Sequence, residues 1–346
     1  MPTEYQPVDW SRTRAWSDLD FTSPGKRFGD ISFKYSGNEI PLGNVLVPAG
    51  VIVNGTGPTI LMIGGVHGDE FEGPVAMVKF LHSTKAEQVQ GRIIVLPALN
   101  SPAVHASSRV SPYDNVNLNR AFPGDPNGSP TQIIADFVEN SIMPVCDAVI
   151  DLHAGGKASW FAPCSMAMKL DNDKELTEKN FQLARAFGAP LIWVMGILND
   201  DRSVNGAAYR QNIPSMAAEL GGGGQVSPST LKIGEDGIRS MLKEIGVLPA
   251  ANKAETAHSV YIEISQRRLQ VPSPRYGLFE PMFEPGDAVR EGDCIGFVHN
   301  IEEIDQDPIE VKFPISGIAF VRAHRGIVQR GDLLAIVGKV IDLDLD

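Results

Sequence analysis

The chain is poor in cysteine. Cys146, Cys164 and Cys294 are the three among 346 residues, scattered, odd in number and without a CxxC pair. That excludes a disulfide framework and a thiolate zinc site, and leaves them as small buried hydrophobes. Cys164 lies close in sequence to His153 and is a candidate to line a pocket there. Positive charge is also short: 30 Lys and Arg against 42 Asp and Glu give a net charge of −12. A nucleic-acid partner, which calls for a basic stripe, is not expected. A local positive pocket is still possible, with Arg109, Arg120, Arg202 and Arg210 as candidates. No apolar run is long enough to cross a bilayer, and no membrane partner is expected. The opening MPTEYQPVDWSRTR lacks the apolar core of a signal peptide, which places the protein in the cytoplasm as an expectation. No repeat of about 20–50 residues is visible. The run Gly221–Gly224 lacks the GKS/T ending of a phosphate loop and the spacing of a dinucleotide fingerprint, and reads as a turn where backbone comes close to something. HExxH is absent, so helix-borne metalloprotease ligation is excluded.

What is present is an ordinary globular composition, 43% hydrophobic and 21% charged. The length suits a large core or two domains. Strand-like runs at Thr59–Ile63, Ile93–Ala98, Ala148–Leu152, Leu191–Met195 and Ser215–Leu220 alternate with helical patterns at Pro74–Leu81, Gln132–Ile142, Lys174–Phe187 and Thr230–Glu244. The alternation predicts an α/β fold with a mixed, largely parallel sheet flanked by helices, whose ligands gather at the carboxyl ends of strands. Composition shifts after Pro249. Ala250–Ala257 reads as a linker, so the expected division is a catalytic domain, 1–249, with N-terminal strands, and a β-rich domain, 250–346. The second resembles the barrel-sandwich of lipoyl and biotinyl carriers through EPGDAVREGDCIGFV. Its Phe313-Pro314-Ile315-Ser316-Gly317 stretch offers no lysine for attachment, although Lys312 is adjacent. A lid or a dimerisation module, giving a homo-oligomer, is the better reading.

The chemistry gathers around Gly64-Gly65-Val66-His67-Gly68-Asp69-Glu70-Phe71-Glu72-Gly73, directly after a strand. A second strand ends at His153. His67, Glu70 and His153 make a His₂Glu set, common for catalytic zinc with a position left open. A lone HxxE is a weak signal, and a histidine at a strand end is usually just hydrogen-bonded structure. Asp69 and Glu72 read more simply as a charged loop and a helix's first turn, where acids are favoured. Asp151 shares a strand face with His153 and is a candidate support for a metal-bound imidazole.

Four motifs in order, GGVHGDEFEG, RVSPYDNVNLNRAFPG, DLHAGG and AELGGGG, resemble the succinylglutamate desuccinylase/aspartoacylase family, relatives of the zinc carboxypeptidases. NLNRAFPG, DLHAGGK with Phe161-Ala162-Pro163-Cys164, and ELGGGG resemble most the branch of N-acetyl-diaminobutyrate deacetylases. The resemblance implies one Zn²⁺ per chain on His67, Glu70 and His153. It also implies Glu219 as general base, Arg109 as the group that polarises the scissile carbonyl, and Asn119 with Arg120 as a clamp for a substrate carboxylate. The implied activity is hydrolysis of the amide bond in a small N-acyl amino acid. A carboxypeptidase-like peptidase and a non-catalytic metal-binding scaffold are the alternatives. In one place the chain departs from the relatives' pattern: Asn117 stands where carboxypeptidases and aspartoacylases carry an aspartate that supports a metal-bound histidine. Asparagine can accept the same hydrogen bond without the charge.

Overall fold

A computed structural model describes residues 5–37, 41–196, 200–249 and 259–343. The expected linker, Ala250–Ala257, lies outside them. The described chain opens with the antiparallel strands β1 (Ala15–Trp16), β2 (Gly25–Tyr35) and β3 (Gly43–Asn54). Then follow β4 (Thr59–Gly64), α1 (Glu72–Ser83), β5 (Gly91–Leu96), α2 (Ser101–Ala106), α3 (Pro130–Phe137) and β6 (Ala148–His153). β7 (Ser159–Phe161) and β8 (Cys164–Met168) precede α4 (Lys174–Phe187), β9 (Leu191–Met195), α5 (Val204–Arg210), β10 (Ser215–Glu219) and α6 (Pro228–Glu244). The remaining strands are β11 (Val260–Glu263), β12 (Gln270–Pro272), β13 (Gly277–Pro281), β14 (Ala288–Val289), β15 (Cys294–His299), β16 (Ile309–Lys312), β17 (Gly317–Ala323), β18 (Ile327–Val328) and β19 (Leu333–Val340).

The main sheet runs β1-β2-β3-β5-β4-β6-β10-β8-β9-β11-β19-β17-β14. Its centre, β5-β4-β6-β10, is parallel, as are β8-β9-β11; the direction reverses between β10 and β8. Every residue of β4, β5 and β6 is buried. That explains their continuous apolar runs, because both faces of such a strand meet helices. Leu61, Ile63, Ile94 and Leu96 enter one core with Ile133 and Phe137 of α3 and Val204 and Ala207 of α5. Ile60, Met62, Ile93 and Val95 enter the opposite core with Met77 and Phe80 of α1, Phe187 of α4 and Met241 of α6. Each such side chain stabilises the fold by about 1.5–3 kcal/mol on burial. α4 shows how the local sequence sets an element. Asp173 caps its N-terminus by accepting the Leu176 N–H at 2.9 Å, and Gly188 ends it at φ 74°.

The β-rich region folds as two antiparallel layers, β12-β19-β17-β14 and β16-β15-β13-β18, around Phe279, Ile295, Val298, Phe313, Phe320 and Val337. β11 lies parallel to β9 and antiparallel to β19, so hydrogen bonding continues from the main sheet into this region. β17 also pairs with β7, with Trp160 opposite Arg322. No helix among the described residues is long and apolar enough to cross a membrane.

Candidate metal centre and substrate cleft

The three central parallel strands deliver the chemistry at their carboxyl ends. His67 follows β4 in the tight loop 65–71. His153 is the last residue of β6 and Glu219 the last of β10, directly opposite each other in register. The loop after β4 closes only because residue 68 has no side chain. A Cβ there would lie 1.9 Å from the carbonyl carbon of Ala103, within α2. The Gly68 N–H instead donates to the Ser108 carbonyl at 2.9 Å, tying the loop to the segment that carries Arg109.

His67, Glu70 and His153 are buried, and one ligand atom from each falls within 4.8 Å of the others. Both imidazoles turn Nδ1 toward the Glu70 carboxylate, each at 2.8 Å, His67 on Oε1 and His153 on Oε2. The far nitrogens are held separately: His67 Nε2 lies 3.1 Å from Asn117 Oδ1, and His153 Nε2 lies 2.7 Å from Asp151 Oδ2. Nitrogen and oxygen donors converge while the outer nitrogens are fixed by acceptors, which suits a borderline divalent cation. Asn117 thus fills the supporting place expected of it, and its Oδ1 also accepts the Asn119 N–H at 2.9 Å. Asp151 supports the other imidazole.

Charge inside the site is strongly coupled. Burial opposes the Glu70 charge, but His67 and His153 outweigh it and hold its carboxyl well below the usual range. Burial likewise opposes a charged His153, yet the carboxylates of Asp151 and Glu70 raise its pKa. Glu219 has a buried Oε2 with no hydrogen-bond partner among the described residues. Burial first, then the Glu70 charge, push its pKa up to about 8 against the pull of His153 and Arg109. Glu72, fully buried at the start of α1, is pushed up to about 7, mainly by burial. Asp69 is buried too, and accepts the Lys157 N–H at 2.8 Å. Asp69 does lie in the loop and Glu72 in the first turn of α1, as read from the sequence, but both are buried. Hydropathy pattern cannot see that the loop folds inward beneath α1.

A cleft of about 370 Å³ contains the three candidate ligands, Glu219, Arg109, Asn119 and Arg120. Arg109 Nη1 lies 3.4 Å from Glu70 Oε1 and from His67 Nδ1. Arg120 reaches the cleft with its Nε 2.9 Å from Asp200 Oδ2, which also holds Arg202. Arg210 pairs instead with Glu139 at 2.8 Å. The wall also includes Phe161, Met166, Trp193, Met195, Ser203 and Asn205. Sequence reading missed β8, α5 and the residues they bring. Phe161 lines the cleft. Cys164 is fully buried in the core behind it, and Trp160 lies against His324 with ring centroids 5.6 Å apart. The glycine run does make a close turn: a Cβ on Gly222 (φ 150°) would sit 2.1 Å from the Ser159 carbonyl oxygen. A larger hollow of about 720 Å³ against β1 and β2 brings no such set of ligands together.

Comparison with known proteins gives the same picture. The sequence profile of the succinylglutamate desuccinylase/aspartoacylase catalytic domain matches residues 56–245. The N-alpha-acetyl-L-2,4-diaminobutyric acid deacetylase of Halomonas elongata is 36% identical over 341 residues, covering 99% of this chain and 98% of that protein. The crystal structure of a succinylglutamate desuccinylase from Silicibacter sp. TM1040 superposes with a TM-score of 0.91 at 34% identity, over 96% of this chain and all of that one. The product-bound ectoine utilization protein EutE of Ruegeria pomeroyi gives a TM-score of 0.91 at 33% identity, over 95% and 99% of the two chains.

Proposed function

Because the chain belongs to the succinylglutamate desuccinylase/aspartoacylase family, we propose that it is a zinc-dependent deacylase that hydrolyses the amide bond of a small N-acyl amino acid, N-acetyl-diaminobutyrate in particular. The observation that carries this reading is the convergence of His67, Glu70 and His153 in one cleft with Glu219 and two arginines. His67 Nδ1, Glu70 and His153 Nδ1 would hold one Zn²⁺. When bound, the ion supplies Lewis-acid polarisation and makes a water easier to deprotonate. Glu219 takes the proton of the attacking water on its carboxylate and returns it to the departing amine nitrogen. Arg109 donates to the oxygen on which charge develops as the carbonyl is attacked. Asn119 and Arg120 hold the carboxylate of the amino-acid part, for which a guanidinium offers parallel donors.

The division at 249/250, a cytoplasmic location and a dimer formed through residues 250–346 belong to the same proposal. Sedimentation of the full chain tests the dimer, and limited proteolysis tests the division. The activity itself is tested with a panel of N-acylated amino acids on the zinc-loaded protein, read by mass spectrometry. Faster release of acetyl than of succinyl groups is the expected result. Zinc bound with no turnover across the panel would favour the scaffold alternative.

A further inference from the structure

The cleft has a second set of polar residues, held by the backbone at the start of α5 and by the Arg120–Asp200 pair rather than by the candidate metal ligands. Asn119 Oδ1 accepts the Val204 N–H at 3.0 Å. Ser203 Oγ accepts the Gly206 N–H at 3.1 Å. Asp200 spends both oxygens on arginines, Oδ1 on Arg202 Nε at 3.0 Å and Oδ2 on Arg202 and Arg120. One acceptor is left over. Asn205 is 7% exposed and lines the cleft, its Nδ2 turned toward Met195 Sδ at 4.0 Å. Its Oδ1 is buried and has no partner among the described residues. A buried carbonyl without a donor is costly, so such a group in a binding cleft selects a ligand that brings one. Asn119 and Arg120 belong to this same set, so the amino-acid part of the substrate lies here.

We infer that Asn205 is a specificity-determining residue whose Oδ1 accepts a hydrogen bond from an N–H donor on the side chain of the released amino acid. The ligand class is a short amino acid ending in an ammonium, with Met195 and Trp193 covering its methylene groups. A side chain ending in a carboxylate would bring no donor to Asn205, so aspartate and glutamate fit poorly. The inference rests on the deacylase reading for the orientation of the substrate, but its test does not need turnover.

L-2,4-diaminobutyrate and L-norvaline differ only by an ammonium in place of a methyl at the chain end. Calorimetric titration of each into the zinc-loaded protein should show the diamino acid binding at least about tenfold more tightly. Asn205→Leu should bring the two affinities together, while Asn205→Asp, which keeps an acceptor, should retain the preference. Equal or absent binding of both amino acids by the parent protein, or a preference that survives in Asn205→Leu, overturns the assignment. Deacylation assays separate the two failures. Turnover without the preference removes Asn205 alone, and the preference without turnover removes the proposed reaction.

Discussion

Asp151→Asn isolates the part of the site that acts on the metal without touching it. Asp151 is 1% exposed, and its Oδ2 lies 2.7 Å from His153 Nε2. The protein already contains the neutral version of this contact, Asn117 Oδ1 against His67 Nε2 at 3.1 Å. Replacing the aspartate keeps an acceptor for the ring N–H and removes the charge that makes the imidazole a stronger donor to a cation. Such supporting groups are worth about 10–100-fold in metal affinity, or roughly 1.4–2.7 kcal/mol. A second cost falls on folding. Asp151 Oδ1 is buried and unpartnered among the described residues, so the new amide NH₂ would occupy that place with nothing there to accept from it. The cost of such an unpaired donor is about 1–3 kcal/mol. Competition with a chromophoric chelator measures the zinc affinity, and thermal unfolding of the metal-free protein measures the second term. Asn117→Asp is the reciprocal change and should tighten zinc binding at His67. A zinc affinity within twofold of the parent in both variants would refute the argument that charge behind the imidazoles tunes this centre.

Three further outcomes are expected. Glu219→Gln should keep zinc near the parent stoichiometry and lower kcat by about 10²–10⁴; unchanged turnover, or protein emptied of zinc, would show that the carboxylate has another role. Amidating the substrate carboxylate should cost about 1 kcal/mol in kcat/KM through Arg120, whose guanidinium is partly exposed and keeps Asp200 as a partner, and Arg120→Lys should also slow the free acid because an ammonium cannot make a two-point contact. Equal rates on the acid and its amide would take Arg120 out of recognition. Dialysis against a chelator should abolish turnover and added Zn²⁺ should restore it, so activity that persists in protein assayed free of metal would end the zinc reading.

The sequence carried the centre of the fold because its strands are buried on both faces. Runs such as Thr59–Ile63 and Ala148–Leu152 admit almost nothing polar beyond Thr59, which accepts from Arg92, and Asp151, which holds the following His153 at the candidate site. The ligands were readable because they punctuate the ends of such strands, and the resemblance named their companions. Other parts left no periodic trace. β8, Cys-Ser-Met-Ala-Met, is short and mixes small residues with methionine. α5 is a seven-residue helix with glycine in it. Asp69 and Glu72 read as a loop acid and a helix-start acid, and the sequence does not show that the 156–157 loop meets Asp69 or that Thr230 of α6 meets the buried Glu72. Asn205 could not be singled out at all, because an unpartnered oxygen is a property of three-dimensional surroundings and not of an asparagine.

The β-rich region also takes a part at the cleft that its sequence does not announce. A lid would contribute side chains to the cleft, yet among the described residues none beyond 249 lines it. The region instead stands behind the wall. Phe320 of β17 packs edge-on against both Phe161 and Trp193, with centroids 5.4 Å apart in each case. Those two rings face the cleft on their other side. The β17–β7 pairing fixes the backbone of Phe161, and β11 fixes the edge of β9 that carries Trp193. Two cleft residues far apart in sequence, 161 and 193, are thus held in register by one phenylalanine from the C-terminal third. Phe161 stays only partly buried, with Phe320 packed edge-on against it. Substrate selection and the packing of residues 260–340 are therefore one physical problem, even though the groups that would hold the metal all come from the first 153 residues.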